Sequence, residues 1–235
     1  MSVERSRLGS MSELPRSENF VHLHNHTEYS MLDGAARIDD LFAEAARMEM
    51  PAVATTDHGF IFGAYEFWSK SRKYDVKPII GLEAYVAPGT HRSDRTRVKW
   101  GDERTRPGDD VSGGGAYTHM TLLARNNTGM HNLFTMGSRA SLDSVFAKWP
   151  RLDRELLSQY GEGLVATTGC PSGEIQTRLR LGQYDKAIEA ASEFRDIFGA
   201  ENFYCELMEH DLDVDIEGDR AAVAIVDSDE GRVPR

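Results

Sequence analysis

Cysteine is scarce in this chain: only Cys170 and Cys205 occur among 235 residues. That excludes a disulfide-dense scaffold and makes a reducing, cytoplasmic setting the expectation. Long apolar runs are absent as well. No stretch approaches the roughly 18 consecutive apolar residues of a membrane-spanning helix, so no membrane partner is expected. The first 18 residues, MSVERSRLGSMSELPRSE, lack the apolar core of a secretory signal and read as a disordered lead-in. An overall basic charge is missing too, since the net charge is −11. Eight of those eleven negative charges fall in residues 201–235. The remainder is close to neutral, which neither supports nor excludes a nucleic-acid partner, because binding depends on a local basic patch. No internal repeat is visible.

What is present suits one sizeable core. Strand and helix signals alternate, which predicts an α/β fold with a largely parallel sheet. Residues 19–24 form a short strand candidate. The segment 37–50 is amphipathic, with Ile38, Leu41, Phe42, Ala45, Ala46 and Met48 near one face and Asp39 and Asp40 at its start. Residues 52–56 read as a β-branched strand ending at Asp57-His58-Gly59, 63–74 as helix, and 78–86 as the next strand. The pattern continues with a strand over 117–124, helices over 129–142 and 152–160, and a strand over 163–168 ending at Gly169-Cys170-Pro171. Helices over 173–181 and 184–198 and a strand over 203–208 complete it.

Residues 88–115 break the alternation and read as a flexible insertion. They hold Arg92, Arg95, Arg97, Lys99, Arg104 and Arg106 with Trp100 among them. A phosphate contact with a stacking base is one reading. A solvated loop is the other and more ordinary one, since five acids are interspersed. After His210 the chain turns strongly acidic, with one short strand candidate over 221–226.

The chemistry gathers at the ends of the predicted strands. His22, His24 and His26 alternate, so a strand would place them on one face. Neutral imidazole is the commonest metal ligand. Asp33 follows, and then Asp57 and His58, Glu83, His119 and Cys170 appear on or just after successive strands. Each is a possible ligand, and in βα folds function collects at the carboxyl ends of strands. A lone histidine is more often structural; recurrence at equivalent places is what raises the odds.

The segments HLHNHTEYSMLDG, TTDHG, GLEAYV, HMTLLARN and TTGCPSGEIQTRL together resemble the PHP (polymerase and histidinol phosphatase) domain of bacterial DNA polymerase III alpha subunits, most closely the actinobacterial form. The resemblance runs from about Phe20 through Met208. It implies a distorted (βα)7 barrel with up to three divalent metals, Zn or Mn, at its carboxyl face. It implies His24, His26, Asp33, His58, Glu83, His119 and Cys170 as metal ligands, seven of nine expected. Of these, His24, His26, Asp33, His58 and Glu83 would carry the catalysis. Glu83 would bridge two metals and Asp57 would orient an imidazole from behind. The implied activity is 3′→5′ exonuclease proofreading on the primer 3′ end of DNA, with the rest of the polymerase III holoenzyme as partner. A non-catalytic scaffold is the alternative, and a free-standing phosphomonoesterase a third reading.

The sequence departs from the family pattern after His210. The family's closing Asp-x-His pair is absent, and Asp227-Ser228-Asp229 offers no imidazole. The expectation is a PHP domain over 19–210 that lacks its last strand or strands, followed by a divergent acidic tail over 211–235, with impaired metal binding and hydrolysis. The chain also carries no polymerase site. Ordinary roles are expected for His22 beside the site, His91 in solvent, His131 on a helix surface, His210 at a strand end and Cys205 in the core. Ser172 and Glu174 read as a helix start.

Overall fold

A computed structural model describes residues 20–102 and 110–208. The lead-in, Arg104, Arg106, His210 and the acidic stretch with its strand candidate lie outside the described residues.

In chain order the elements are α1 (Ile38–Arg47), β1 (Ala52–Thr55), α2 (Ala64–Tyr74), β2 (Lys77–Val86), the short turn α3 (Ser112–Gly115), β3 (Thr118–Ala124), α4 (Asn127–Asp143), β4 (Val145–Phe146), β5 (Trp149–Leu152), α5 (Arg154–Tyr160), β6 (Leu164–Thr167), α6 (Glu174–Arg180), α7 (Tyr184–Phe198) and β7 (Phe203–Tyr204). The sheet runs β4-β5-β2-β3-β6-β7, with β1 also paired to β2. The pairs β1–β2, β2–β5 and β6–β7 are parallel. Strand β3 is antiparallel to both β2 and β6. The sheet is therefore mixed, and the reversal of β3 is what the alternation of elements left unspecified.

Local sequence explains most boundaries. Helix α1 has Asp39 and Asp40 in its first turn and Arg47 in its last, charges that favour the helix dipole. Its Ile38, Phe42 and Ala45 are buried, while Leu41, Ala46 and Met48 pack against the same cluster. Asn126 caps α4 by accepting from the Gly129 N–H at 3.0 Å, and Asp153 caps α5 through the Leu156 N–H at 3.0 Å. The β4–β5 hairpin was not expected. Its strands are short, and Pro150 argues against a strand from sequence; it fits here because the pairing is a brief edge ladder.

Two apolar clusters clothe the sheet. One joins α1 and α2 to β1, with Phe42 and Phe67 rings 4.5 Å apart. The other packs Leu82, Ala84 and Val86 of β2, Met120 and Leu122 of β3, and Leu164 and Ala166 of β6 against α4, α5 and α7. Each large side chain buried there contributes about 1.5–3 kcal/mol. Alternation sends the intervening residues to the opposite face: Gly81, Glu83 and Tyr85 on β2, His119, Thr121 and Leu123 on β3, Val165 and Thr167 on β6. The Phe20–His24 and Tyr204–Met208 segments flank this face, and together with Thr121, Leu123, Val165 and Thr167 they line a cavity of about 650 Å³. The sheet thus curls until its first and last segments share one hollow.

The 88–115 segment has no strand among its described residues, yet it is tied down. The Arg151 guanidinium is fully buried and donates to the carbonyls of Ala116 at 2.9 Å, Arg92 at 2.7 Å and Asp94. Gln183 donates to the Trp100 carbonyl at 2.6 Å. Among the described residues, no helix is long and apolar enough to cross a membrane.

Candidate metal centre

Register places the donors. Glu83 on β2 sits opposite Thr121 on β3, and Tyr85 sits opposite His119. The line of β1 continues past Thr55, so that His58 forms a parallel bridge with Glu83. The Val21–His26 segment runs beside β1, its His22 and Asn25 carbonyls accepting from the N–H groups of Ala54 at 3.0 Å and Thr56 at 2.9 Å. His119 is drawn to the loop after β6 by its N–H bond to the Ser172 carbonyl at 3.0 Å, which brings Cys170 into place. All seven expected donors therefore meet: His24, His26, Asp33, His58, Glu83, His119 and Cys170 line a single cavity of about 500 Å³.

Glu83 is the hub. Its side chain is 1% exposed. Oε2 lies 3.2 Å from His24 Nε2, 3.2 Å from His58 Nδ1, and in hydrogen-bond contact with His26 Nε2. Oε1 lies 2.5 Å from His119 Nδ1 and 3.3 Å from Cys170 Sγ. Asp33 sits at the open edge, with Oδ2 2.7 Å from His58 Nε2 and Oδ1 3.5 Å from His26 Nδ1. Three overlapping donor groups result: His24, His26 and Glu83; His26, Asp33 and His58; His58, Glu83 and His119.

The electrostatics match a cation site. Burial would lift the Glu83 carboxyl, but His119, His24 and His26 hold it well below its usual range. Burial would depress His24, yet Glu206 and Glu83 push it up to about 10. His26 is likewise raised against its burial by Glu83 and Asp33. Burial and the Glu83 charge push the Cys170 thiol well up. His58 Nδ1 and His119 Nε2 are buried without a hydrogen-bond partner. Imidazoles, carboxylates and a thiol converging with orphaned nitrogens fit divalent metals.

Several expectations change. Residues 19–24 were expected to form a strand with His22 beside His24 and His26. The segment is extended but bends at His24 and forms no regular strand among its described residues. His22 is exposed, lines the hollow beside His24 with its ring edge-on to Phe20 at 4.8 Å, and is not among the converging donors. The strand expected over 203–208 is regular only at Phe203–Tyr204. Asp57 touches no imidazole. Its buried carboxylate accepts from the Thr27 N–H at 2.7 Å and the hydroxyls of Thr27 at 2.8 Å, Ser30 at 2.7 Å and Thr55 at 2.9 Å. Its influence on His58 is indirect, through Ser30 Oγ, which accepts the His58 N–H at 3.1 Å. Trp100 is not a free stacking platform, because the Arg178 guanidinium lies 3.5 Å from its ring centroid.

Sequence reasoning also missed neighbours. Glu206 lies 2.5 Å from His24 Nδ1. Tyr85 stacks on His58 at 5.9 Å and Tyr117 on His119 at 5.2 Å, with the two tyrosines edge-on at 4.6 Å. Gly59 permits this wall: its φ is +68°, and an added Cβ would stand 2.6 Å from the Tyr85 ring. The inward alternation of Tyr85 with Glu83 and of Tyr117 with His119 was the available signal for the tyrosines.

Comparison with known proteins places residues 22–210 on the PHP domain family. The DNA polymerase III subunit alpha of Saccharopolyspora erythraea is 61% identical over 202 residues, covering 83% of this chain and 17% of that protein. That of Mycobacterium tuberculosis is 54% identical over 205 residues, covering 87% of this chain and 17% of that protein. The chain thus spans about 17% of the length of these relatives. Among solved structures, an amidohydrolase from Chromobacterium violaceum matches with a TM-score of 0.47 and 15% identity, over 86% of this chain and 82% of that one.

Proposed function

We infer function from one premise: the chain belongs to the PHP domain family. From it we propose a metal-dependent phosphoesterase that corresponds to the PHP region of a DNA polymerase III alpha subunit and removes nucleotides from the primer 3′ end of DNA. The observation that carries the reading is Glu83, a fully buried carboxylate in contact with four imidazoles and a thiol.

His24, His26, Asp33, His58, Glu83, His119 and Cys170 would hold the metals. When bound, such ions lower the pKa of a water and neutralise charge on phosphate oxygens. The chain's own residues do the rest. Glu83 fixes the spacing of the imidazoles around it. Asp33 and His58 form the solvent-facing side of the cavity, where Asp33 is half-exposed and a phosphodiester has room to enter. Tyr85 and Tyr117 hold the rings of His58 and His119 from behind and restrict their rotation. Burial and the Glu83 charge favour the neutral thiol of Cys170; as a ligand it would have to be the thiolate, a donor that suits Zn. Residues after His210 supply no Asp-x-His pair, so this chain alone is proposed to hold metal weakly and to hydrolyse slowly. Partners in this reading are DNA and the remainder of the replicative holoenzyme, in the cytoplasm.

The test is Glu83→Gln and His119→Ala in the full alpha subunit that carries this sequence. Loss of metal and of 3′ nucleotide release from an end-labelled primer, with polymerisation kept, supports the reading. Loss of both activities with unfolding favours a scaffold. Unchanged nucleotide release in both variants overturns it.

A further inference from the structure

We propose that Glu206 is a positioning residue for His24: its carboxylate accepts the Nδ1–H, fixes that tautomer and turns Nε2 toward the metal cluster. The inference rests on the metal-centre reading above. Glu206 Oε1 lies 2.5 Å from Nδ1, on the opposite side of the ring from Nε2, which lies 3.2 Å from Glu83 Oε2. Glu206 belongs to none of the three converging donor groups. It stands behind the ligand, not among the ligands.

The carboxylate is itself built in. Its Oε2 accepts from the Thr121 hydroxyl at 3.2 Å and from the Thr167 hydroxyl. The Glu206 N–H donates to Thr168 Oγ1 at 3.0 Å. Strands β3 and β6 therefore fix its position before any metal arrives. Thr121 Oγ1 also approaches His24 Nδ1 at 3.1 Å, so the nitrogen faces two oxygens and must carry its proton to satisfy them. The other three imidazoles differ. His26 and His58 each turn both nitrogens to Glu83 and Asp33, and His119 turns Nδ1 to Glu83 with Nε2 unpartnered. His24 is the imidazole whose outer nitrogen is held by a carboxylate outside the cluster. Such a carboxylate raises the basicity of the ligating nitrogen and restrains the ring, and its loss typically lowers metal affinity about 10–100-fold.

Glu206→Ala removes both charge and orientation; Glu206→Gln keeps the shape and removes the charge. Each is compared with the parent chain and with His24→Ala by titration with Zn²⁺ against a chelator and by the absorption spectrum of bound Co²⁺. Melting of the metal-free proteins is followed in parallel. The expected result is a roughly 10–100-fold weaker site in Glu206→Ala and a smaller loss in Glu206→Gln. Both should show an altered Co²⁺ spectrum. If Glu206→Ala does not fold, the Glu206→Gln spectrum and affinity decide. Parent-like affinity and spectrum in the Glu variants, with metal lost in His24→Ala, overturn the role of Glu206 and leave the metal centre intact. Parent-like metal binding in His24→Ala overturns the metal-centre reading itself.

Discussion

Replacing Asp57 should unfold the chain before it touches the chemistry. The Asp57 side chain is buried and accepts four hydrogen bonds, from the Thr27 N–H and from the hydroxyls of Thr27, Ser30 and Thr55. Hydrogen bonds to a charged group contribute ~1.5–3 kcal/mol each, and they do not add. In Asp57→Ala the hydroxyls of Ser30 and Thr55 can rotate to other partners, but the Thr27 N–H cannot. An unsatisfied buried donor and a small cavity together predict a loss of about 3–5 kcal/mol. Asp57→Asn should be milder. An amide oxygen at the Oδ1 position still serves Thr27 N–H and Ser30, and the NH₂ group can donate to the Thr55 and Thr27 hydroxyls. About 1–2 kcal/mol is expected, because the charge is lost and two hydroxyls must turn from donating to accepting. Urea unfolding of the metal-free chain, followed by tryptophan fluorescence, measures both. A total stability of 5–15 kcal/mol makes the Ala variant marginal. Were Asp57→Ala to lose less than about 1 kcal/mol, or no less than Asp57→Asn, the account of this carboxylate as a four-bond anchor would be refuted.

Three further outcomes follow from named contacts. Arg151→Met should cost about 3 kcal/mol, since the carbonyls of Ala116, Arg92 and Asp94 lose their donor, and hydrogen exchange over residues 88–102 should quicken; unchanged exchange there would refute the tether. Gly59→Ala and Gly182→Ala both place alanine at positive φ, +68° and +69°, but only Gly59 faces a ring at 2.6 Å, the other meeting nothing within 4 Å. Gly59→Ala should therefore melt several degrees below Gly182→Ala and weaken metal binding through Tyr85 and His58, whereas equal melting would remove the proposed clash. In the metal-free chain, His24 is depressed by burial but raised by Glu206 and Glu83 to about 10. Its contribution is then fully present below 6.5 and is lost as pH rises from there through about 10. Each tenfold ratio corresponds to ~1.4 kcal/mol, so up to about 5 kcal/mol is shared by His24 and its carboxylates. The stability gap between the parent chain and His24→Ala in chelator should narrow between pH 6.5 and 10, and a constant gap would count against the ion pair.

The seven donors were legible for two reasons. His24, His26 and Asp33 lie on no regular strand and were legible through the histidine alternation and motif alone. Glu83 and His119 stand on inward positions of β2 and β3, His58 and Cys170 just past β1 and β6, and those strands are apolar enough to read without tertiary information. Helices α1 and α7 were legible for the same reason, through a single buried face. What was lost depends on distance. Glu206 meets His24 across 182 residues, and nothing local marks a glutamate as the partner of that histidine. The reversal of β3 is set by how β2 turns back through the 88–115 segment, which carries no periodicity. Asp57 was misread because it adjoins His58 in the Thr-Asp-His motif. One residue along a strand end reverses the side-chain direction, so Asp57 faces Thr27, Ser30 and Thr55 while His58 faces Glu83.

The charges around Glu83 link stability to occupancy. Asp33, Glu83 and Glu206 bring three carboxylates against four imidazoles in a largely buried space. Without metal, protons on His24 and His26 offset part of that negative charge: their carboxylate neighbours raise those rings, and the imidazoles lower Glu83. Divalent cations would take the place of those protons. Protons and metal then compete for one charge deficit, so metal binding should release protons and tighten as pH rises. Stabilisation by metal follows its occupancy, ~2.7 kcal/mol at a hundredfold excess over Kd. The protection given by metal should therefore grow over the same pH range in which the protonated cluster weakens. The site holds the fold together by whichever cation the pH makes available.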